Sequence, residues 1–168
     1  MGSYPRASGA RPRADLTGES PLFVDIGGAL GLDSARLLDK HPDLPPGAGL
    51  VVQDLPEVTT KHGAKEQLDP FITRMAHDFF APQPLGGARA CFVHAVPHDW
   101  PDDERVRIFE SMRGPMTRGY SRLLIYKIVL PARSEENWGR LLGRSGLRVV
   151  GISRHPRAVE SVIEAELS

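Results

Sequence analysis

Short apolar runs and amphipathic stretches alternate along the chain after about residue 20. The first run, at 22–26, is rich in β-forming residues and is short enough for a strand buried in a parallel sheet. Similar features predict five more strands, at 50–53, 71–76, 90–93, 122–130 and 147–153. Between these runs, the spacing of apolar residues and the turn residues predict helices that begin near residues 32, 56, 101 and 134.

The end of the chain has a different pattern, because apolar and charged residues alternate over 159–167. This alternation predicts a seventh, half-exposed strand near a sheet edge, and its position directly after the strand at 147–153 indicates an antiparallel pairing. Strands that alternate with helices are typical of an α/β fold. We therefore expect a mostly parallel, seven-stranded sheet with an antiparallel C-terminal strand and helices on both faces.

Length and composition narrow the function classes. The 168 residues fit one domain, and 21 basic residues balance 21 acidic ones, so we expect neither a nucleic-acid partner nor a membrane surface. Residues 1–20 are rich in Gly, Ser, Pro and Arg, which predicts a disordered lead before a domain at 21–168. The single cysteine, Cys91, lies in an apolar run, which predicts a buried, inert thiol in a reducing cytoplasm.

A glycine turn follows the first predicted strand. Gly27 and Gly28 would let the backbone turn sharply and let a ligand approach it closely, and Gly31 would let the next helix pack tightly. Such a turn lies where open α/β sheets bind nucleotides. The spacing differs from that of dinucleotide-binding folds, which disfavours a nicotinamide-dependent oxidoreductase. On these residues alone, a ligand-binding turn and a purely structural turn are about equally plausible.

Polar residues with potential chemistry follow three other strands: Asp54, Asp78, and the pair His94 and His98. The carboxyl ends of parallel strands meet at one edge of a sheet, so these residues are expected to converge on the glycine turn. An acidic residue after the second strand is placed to accept hydrogen bonds from a ribose diol. Each residue also has a structural interpretation: Asp54 and His98 could begin helices, and Asp78 could begin a turn.

Five stretches together resemble a known family: 23–28, 53–58, 75–80, 98–103 and 160–167. The most specific is 98–103, with the sequence His-Asp-Trp-Pro-Asp-Asp. They are similar to the catalytic domain of plant and fungal S-adenosylmethionine-dependent O-methyltransferases, most of all to the fungal branch typified by sterigmatocystin 8-O-methyltransferase. The resemblance implies a Rossmann-like class I methyltransferase fold, S-adenosylmethionine as cofactor, and methyl transfer to a phenolic hydroxyl of a small aromatic secondary metabolite.

The same resemblance implies roles for individual residues. His98 would be the general base that takes the phenolic proton. Contacts with the cofactor would come from Gly27, Gly28, Asp54, Leu55, Asp78, Phe79 and His94. Gly27 and Gly28 would approach the methionine part, Asp54 would hold the ribose, and Asp78 and Phe79 would flank the adenine.

The chain also departs from the family. Lys127 and Ala132 stand where relatives carry the two glutamates around the base, and the segment between the fifth and sixth strands is shortened. Ala29 replaces the third glycine of the turn. The helical dimerisation domain of the family does not precede the strands, so the family homodimer is expected to be lost. These departures keep an alternative open, namely a non-catalytic relative that binds the cofactor or serves as an accessory partner.

Overall fold

A computed structural model of the protein describes residues 13–17, 19–63, 68–128, 133–154 and 160–168. Its strands are β1 (Phe23–Ile26), β2 (Leu50–Asp54), β3 (Ile72–Ala76), β4 (Ala90–His94), β5 (Arg122–Ile128), β6 (Leu147–Arg154) and β7 (Glu160–Leu167). Its α-helices are α1 (Leu32–Lys40), α2 (Pro56–Gly63), α3 (Asp102–Arg113) and α4 (Arg133–Arg144), and a short 3-10 helix spans Val96–Asp99. That 3-10 helix was not predicted from the sequence.

The strands form one seven-stranded sheet in the order β3-β2-β1-β4-β5-β7-β6. The first five strands pair in parallel, and β7 pairs antiparallel with both β5 and β6. Two apolar cores line the sheet, the larger one built with α3 and α4 and the smaller one with α1. The predicted α/β fold with a mostly parallel sheet and an antiparallel finish is therefore confirmed.

The last strand was predicted near a sheet edge, and β7 lies one strand in from the edge strand β6, paired on both sides. The charged residues of its alternating pattern have partners inside the sheet. Ile163 is fully buried on one face of β7, whereas Glu164 on the other face pairs with Arg122 of β5, at 3.1 Å. Arg122 also lies 2.9 Å from Glu166. The charged positions are thus neutralised by an internal ion-pair network and do not mark a solvent-facing edge.

Helices α3 and α4 pack on the sheet through buried apolar side chains. Trp138, Leu141 and Leu142 of α4 are buried against the sheet, and so is Phe109 of α3. Cys91 is 2% exposed, and its burial raises the pKa of the thiol to about 12, so the expectation of a buried, unreactive cysteine is confirmed. No helix in the described part of the chain is long and apolar enough to cross a bilayer.

The proposed disordered lead falls largely outside the described residues, since 1–12 and 18 are not among them. Within the described part, the backbone N–H of Asp15 donates to the hydroxyl of Tyr120, at 2.8 Å. The division into a lead at 1–20 and a domain at 21–168 stays a prediction.

Candidate functional site

A cleft of about 430 Å³ opens at the carboxyl end of β1 and β4. Its walls are the turn at 27–30, the start of α1 and the end of β4, with lining side chains from Asp25, Leu32, Asp33, Arg36 and His94. Leu32, an apolar residue at the start of α1, is 55% exposed at this cleft. The cleft lies where an open α/β sheet is expected to bind ligands.

Steric contacts explain why the turn contains glycine. Gly27 has φ +70, and a Cβ there would lie 2.7 Å from Val96 Cγ2. A Cβ at Gly28 would lie 2.6 Å from the Asp25 carboxyl carbon. The backbone N–H groups of both glycines donate to the Gln53 carbonyl, at 2.8 and 3.1 Å. The turn therefore needs both glycines for its own packing, whatever it binds.

Asp54 at the end of β2 is held by the same turn. One of its oxygens accepts the N–H of Ala29 at 2.9 Å, and the other accepts the N–H of Leu55 at 2.8 Å. An ionised carboxylate offers about four acceptor positions, so each oxygen can still accept a further hydrogen bond. The two contacts fix the carboxylate in one orientation beside the turn.

Asp25 is the deepest polar group of the cleft, with only 1% of its surface exposed. Oδ2 accepts a hydrogen bond from Ser34 at 3.2 Å, whereas buried Oδ1 has no partner among the described residues. Burial, and secondly the charge of Asp33, raise the pKa of Asp25 to about 6. Sequence reasoning missed this residue, although a carboxylate inside an otherwise apolar strand is a signal in itself.

His94 and Asp33 form a close polar pair across the cleft. His94 Nδ1 lies 2.6 Å from Asp33 Oδ2, so the carboxylate fixes the proton on Nδ1 and leaves Nε2 as the ring's acceptor. The other Asp33 oxygen accepts from Arg36 at 3.2 Å. Asp33 was not predicted, because it is 61 residues from His94 in sequence.

Asp78 and Phe79 follow the carboxyl end of β3. Asp78 is exposed, and its side chain accepts the N–H of Phe80 at 2.9 Å, as expected of a residue that begins a turn. The ring of Phe79 stands edge-on to Trp100 with centroids 6.1 Å apart. One of its ring carbons is 4.0 Å from the position that a Cβ on Gly27 would take, so the ring lies beside the glycine turn.

His98 lies in the 3-10 helix that follows the cleft residue Ala95. Its Nε2 is 3.2 Å from Asp99 Oδ1, and the two side chains are 51% and 72% exposed. In relatives, the carboxylates expected beside this histidine are the glutamates at the positions of Lys127 and Ala132. The side chain of Lys127 and all of Ala132 lie outside the described residues. The adjacent Asp99 supplies a carboxylate that sequence reasoning overlooked.

Comparison with known proteins identifies the family. The model of the O-methyltransferase domain matches residues 13–159. The chain belongs to the O-methyltransferase family. This confirms the resemblance found in the five sequence stretches.

Relatives of this O-methyltransferase domain include fungal proteins and solved structures. The O-methyltransferase mfmE of Annulohypoxylon moriforme is 36% identical over 171 residues, which cover 89% of this chain and 41% of mfmE. LepI in complex with S-adenosylmethionine superposes with a TM-score of 0.82 at 28% identity, over 92% of this chain and 44% of LepI. OxaC in complex with S-adenosylhomocysteine and oxaline superposes at 0.77 and 30% identity, over 87% and 42%. The chain thus spans less than half the length of these relatives.

The superpositions confirm the Rossmann-like class I methyltransferase fold, and the geometry of the cleft fits the cofactor of its relatives. A fixed carboxylate at Asp54 suits a ribose diol, and the unpartnered Asp25 oxygen suits a cationic hydrogen-bond donor. No group of three or more metal-ligating side chains occurs within the described ranges.

Proposed function

We propose that this chain is the cofactor-binding part of an S-adenosylmethionine-dependent O-methyltransferase that methylates a phenolic hydroxyl of an aromatic secondary metabolite. The observation that carries the proposal is the cleft after β1. Asp25 lines this cleft and has one unpartnered oxygen, and the carboxylate of Asp54 lies beside it, held by the N–H of the cleft residue Ala29. Both carboxylates suit a ligand that has a diol and a positive charge.

Each predicted contact has a physical reason. Asp54 would accept hydrogen bonds from both ribose hydroxyls, and Leu55 keeps that carboxylate in place through its backbone N–H. Gly27 and Gly28 line the cleft and would approach the methionine part. Asp78 and Phe79 would flank the adenine, the first by hydrogen bonding and the second by its ring. His94 would present Nε2 to the cofactor, because Asp33 occupies Nδ1.

The chemistry needs a base and an in-line methyl donor. The bound cofactor would supply the methyl group on a sulfonium centre. A phenol has a pKa near 10 and histidine one near 6.5, so proton transfer to His98 is uphill by roughly 5 kcal/mol at equilibrium. Asp99, 3.2 Å from Nε2, would stabilise the imidazolium and leave Nδ1 to take the proton. Alignment of the phenolic oxygen with the methyl carbon would supply the rest of the rate.

The acceptor and the partners are proposed by analogy with relatives. The structure of OxaC was solved in complex with S-adenosylhomocysteine and oxaline, so this relative binds a small molecule besides the cofactor product. By analogy we propose a small aromatic acceptor here, with no nucleic-acid or membrane partner. Loss of the family homodimer and a cytoplasmic location remain predictions from the sequence.

Two measurements on the same protein test the proposal. S-adenosylhomocysteine at 100 times its Kd should stabilise the fold by about 2.7 kcal/mol, seen as a higher Tm. Single-turnover incubation with labelled S-adenosylmethionine and a panel of activated phenols should then give labelled methyl ether. Binding without transfer would favour the non-catalytic alternative. A chain that is folded but binds neither cofactor form would refute the proposal.

A further inference from the structure

Ala29 occupies a backbone conformation that favours glycine. Its φ is +44, and within the described residues the only other non-glycine position with positive φ is Ala95. Ala29 follows Gly28 in a four-residue turn that is closed by the N–H of Gly31 donating to the Gly28 carbonyl, at 2.7 Å. For a residue with a Cβ, the left-handed region costs roughly 1–2 kcal/mol. Something else in the fold must therefore hold this residue in place.

Both backbone polar groups of Ala29 are held by side chains from neighbouring strands. Its N–H donates to Asp54 at the end of β2, at 2.9 Å. Its carbonyl accepts from Nη1 of Arg74 in β3, at 2.7 Å, and Nη2 of the same guanidinium donates to the Leu30 carbonyl at 3.3 Å. Arg74 thus reaches across β2 to two consecutive carbonyls of the turn that lines the cleft.

We propose that Arg74 is a positioning residue for the cofactor turn, which keeps Ala29 in the left-handed conformation that the cleft requires. The inference rests on the proposed function, because it treats the turn as part of the cofactor site. Held this way, the Ala29 N–H stays directed at Asp54, and Asp54 stays oriented toward the ribose position. Arg74 would act on the cofactor through Ala29 and Asp54, with no contact of its own.

This role differs from general support of the fold. If the Arg74 guanidinium only fills space, its substitution should have the same effect whether position 29 is alanine or glycine. A guanidinium that holds a strained alanine becomes less important once glycine removes the strain. The effects of changing Arg74 and Ala29 should therefore depend on each other.

The test is a double-mutant cycle in the 168-residue chain, with S-adenosylhomocysteine affinity and Tm as readouts. Arg74→Gln should weaken binding roughly 10-fold, the size expected for lost hydrogen bonds from a charged donor. In the Ala29→Gly background, the same substitution should cost roughly 3-fold or less. Arg89→Gln is the matched control. Arg89 also donates to a backbone carbonyl, that of Tyr120, but it lies at the amino ends of β4 and β5, away from the glycine turn.

Each outcome decides one question. If Arg74→Gln binds as tightly as the parent, or loses the same factor in both backgrounds, the positioning role is refuted. If Arg74→Gln does not fold, Arg74→Lys takes its place in the cycle, since it keeps the charge but on one nitrogen. The same two results would then refute the positioning role. If the parent itself binds no S-adenosylhomocysteine, the proposed function fails instead. The Tm cycle then still shows whether glycine at position 29 compensates for the loss of Arg74.

Discussion

The substitution Asp25→Asn should gain stability relative to the parent as the pH rises from 4 to 7.5, although it removes a charged group. The side chain is 1% exposed, and Oδ1 has no partner among the described residues. Burial, together with the charge of Asp33, raises the pKa from 3.8 to about 6, against the smaller opposing effects of Ser34 and His94. At pH 7.5 the parent must therefore ionise a carboxyl that the fold prefers to keep neutral.

The sign and size follow from proton linkage. A folded-state pKa above the unfolded value means that the folded protein binds more protons between about pH 4 and 6, so its free energy of unfolding falls as pH rises through that window. The full difference corresponds to about 3 kcal/mol, of which about 2 kcal/mol is lost between pH 4 and 7.5. The amide of the variant would not titrate. Its burial costs about 1–3 kcal/mol, but equally at both pH values.

The assay is urea unfolding of the parent and of Asp25→Asn at pH 4 and at pH 7.5. The stability of the variant relative to the parent should improve by about 2 kcal/mol between the two pH values. Asp39→Asn, an exposed carboxylate on α1, is the control and should show no comparable change. A difference between parent and Asp25→Asn that is the same at both pH values would show that folding does not raise the pKa of Asp25, and would refute the reasoning.

Three further predictions use other contacts. Asp54→Ala should remove most of the rise in Tm caused by S-adenosylhomocysteine, because the ribose diol loses its acceptor; an unchanged rise would contradict the assignment. His98→Ala should abolish single-turnover methyl transfer, and Asp99→Asn should slow it about 10-fold, whereas activity that survives His98→Ala would place the base elsewhere. Gln83→Ala should lower the free energy of unfolding by about 2–4 kcal/mol in urea, since Gln53 and Gln83 exchange two buried hydrogen bonds, at 2.9 and 2.7 Å; a loss under about 1 kcal/mol would show that Gln53 finds another partner.

Most of the sheet could be predicted because its strands are short apolar runs separated by helical periodicity. Local pattern does not contain strand order, however. The alternation over 159–167 placed the last strand near a sheet edge, but only the structure shows the order β5-β7-β6 and the pairing of Glu164 and Glu166 with Arg122. The 3-10 helix at Val96–Asp99 was missed for a similar reason, since four residues carry too little periodicity to reveal it.

Candidate site residues at strand ends were easier to find than the residues that hold them. Parallel topology alone brings Asp54 and His94 to one edge of the sheet. Their partners depend on contacts between distant positions: Asp33 meets His94 across 61 residues, and Arg74 meets Ala29 across 45. Such pairings depend on the order and register of β1 to β4 and on the placement of α1, which the sequence pattern does not specify.

Two costly features of the fold lie within five residues of each other. Asp25 places a carboxylate in the interior, and Ala29 takes a backbone conformation suited to glycine. The larger core between the sheet and α3 and α4 contains ordinary apolar packing, for example at Phe109 and Leu142. Costs of this kind persist where function requires them. If the cleft binds the cofactor, Asp25→Asn should weaken cofactor binding. The same substitution should remove the cost of ionising a buried carboxyl, so the variant should lose affinity and also lose the fall in stability that the parent shows as pH rises.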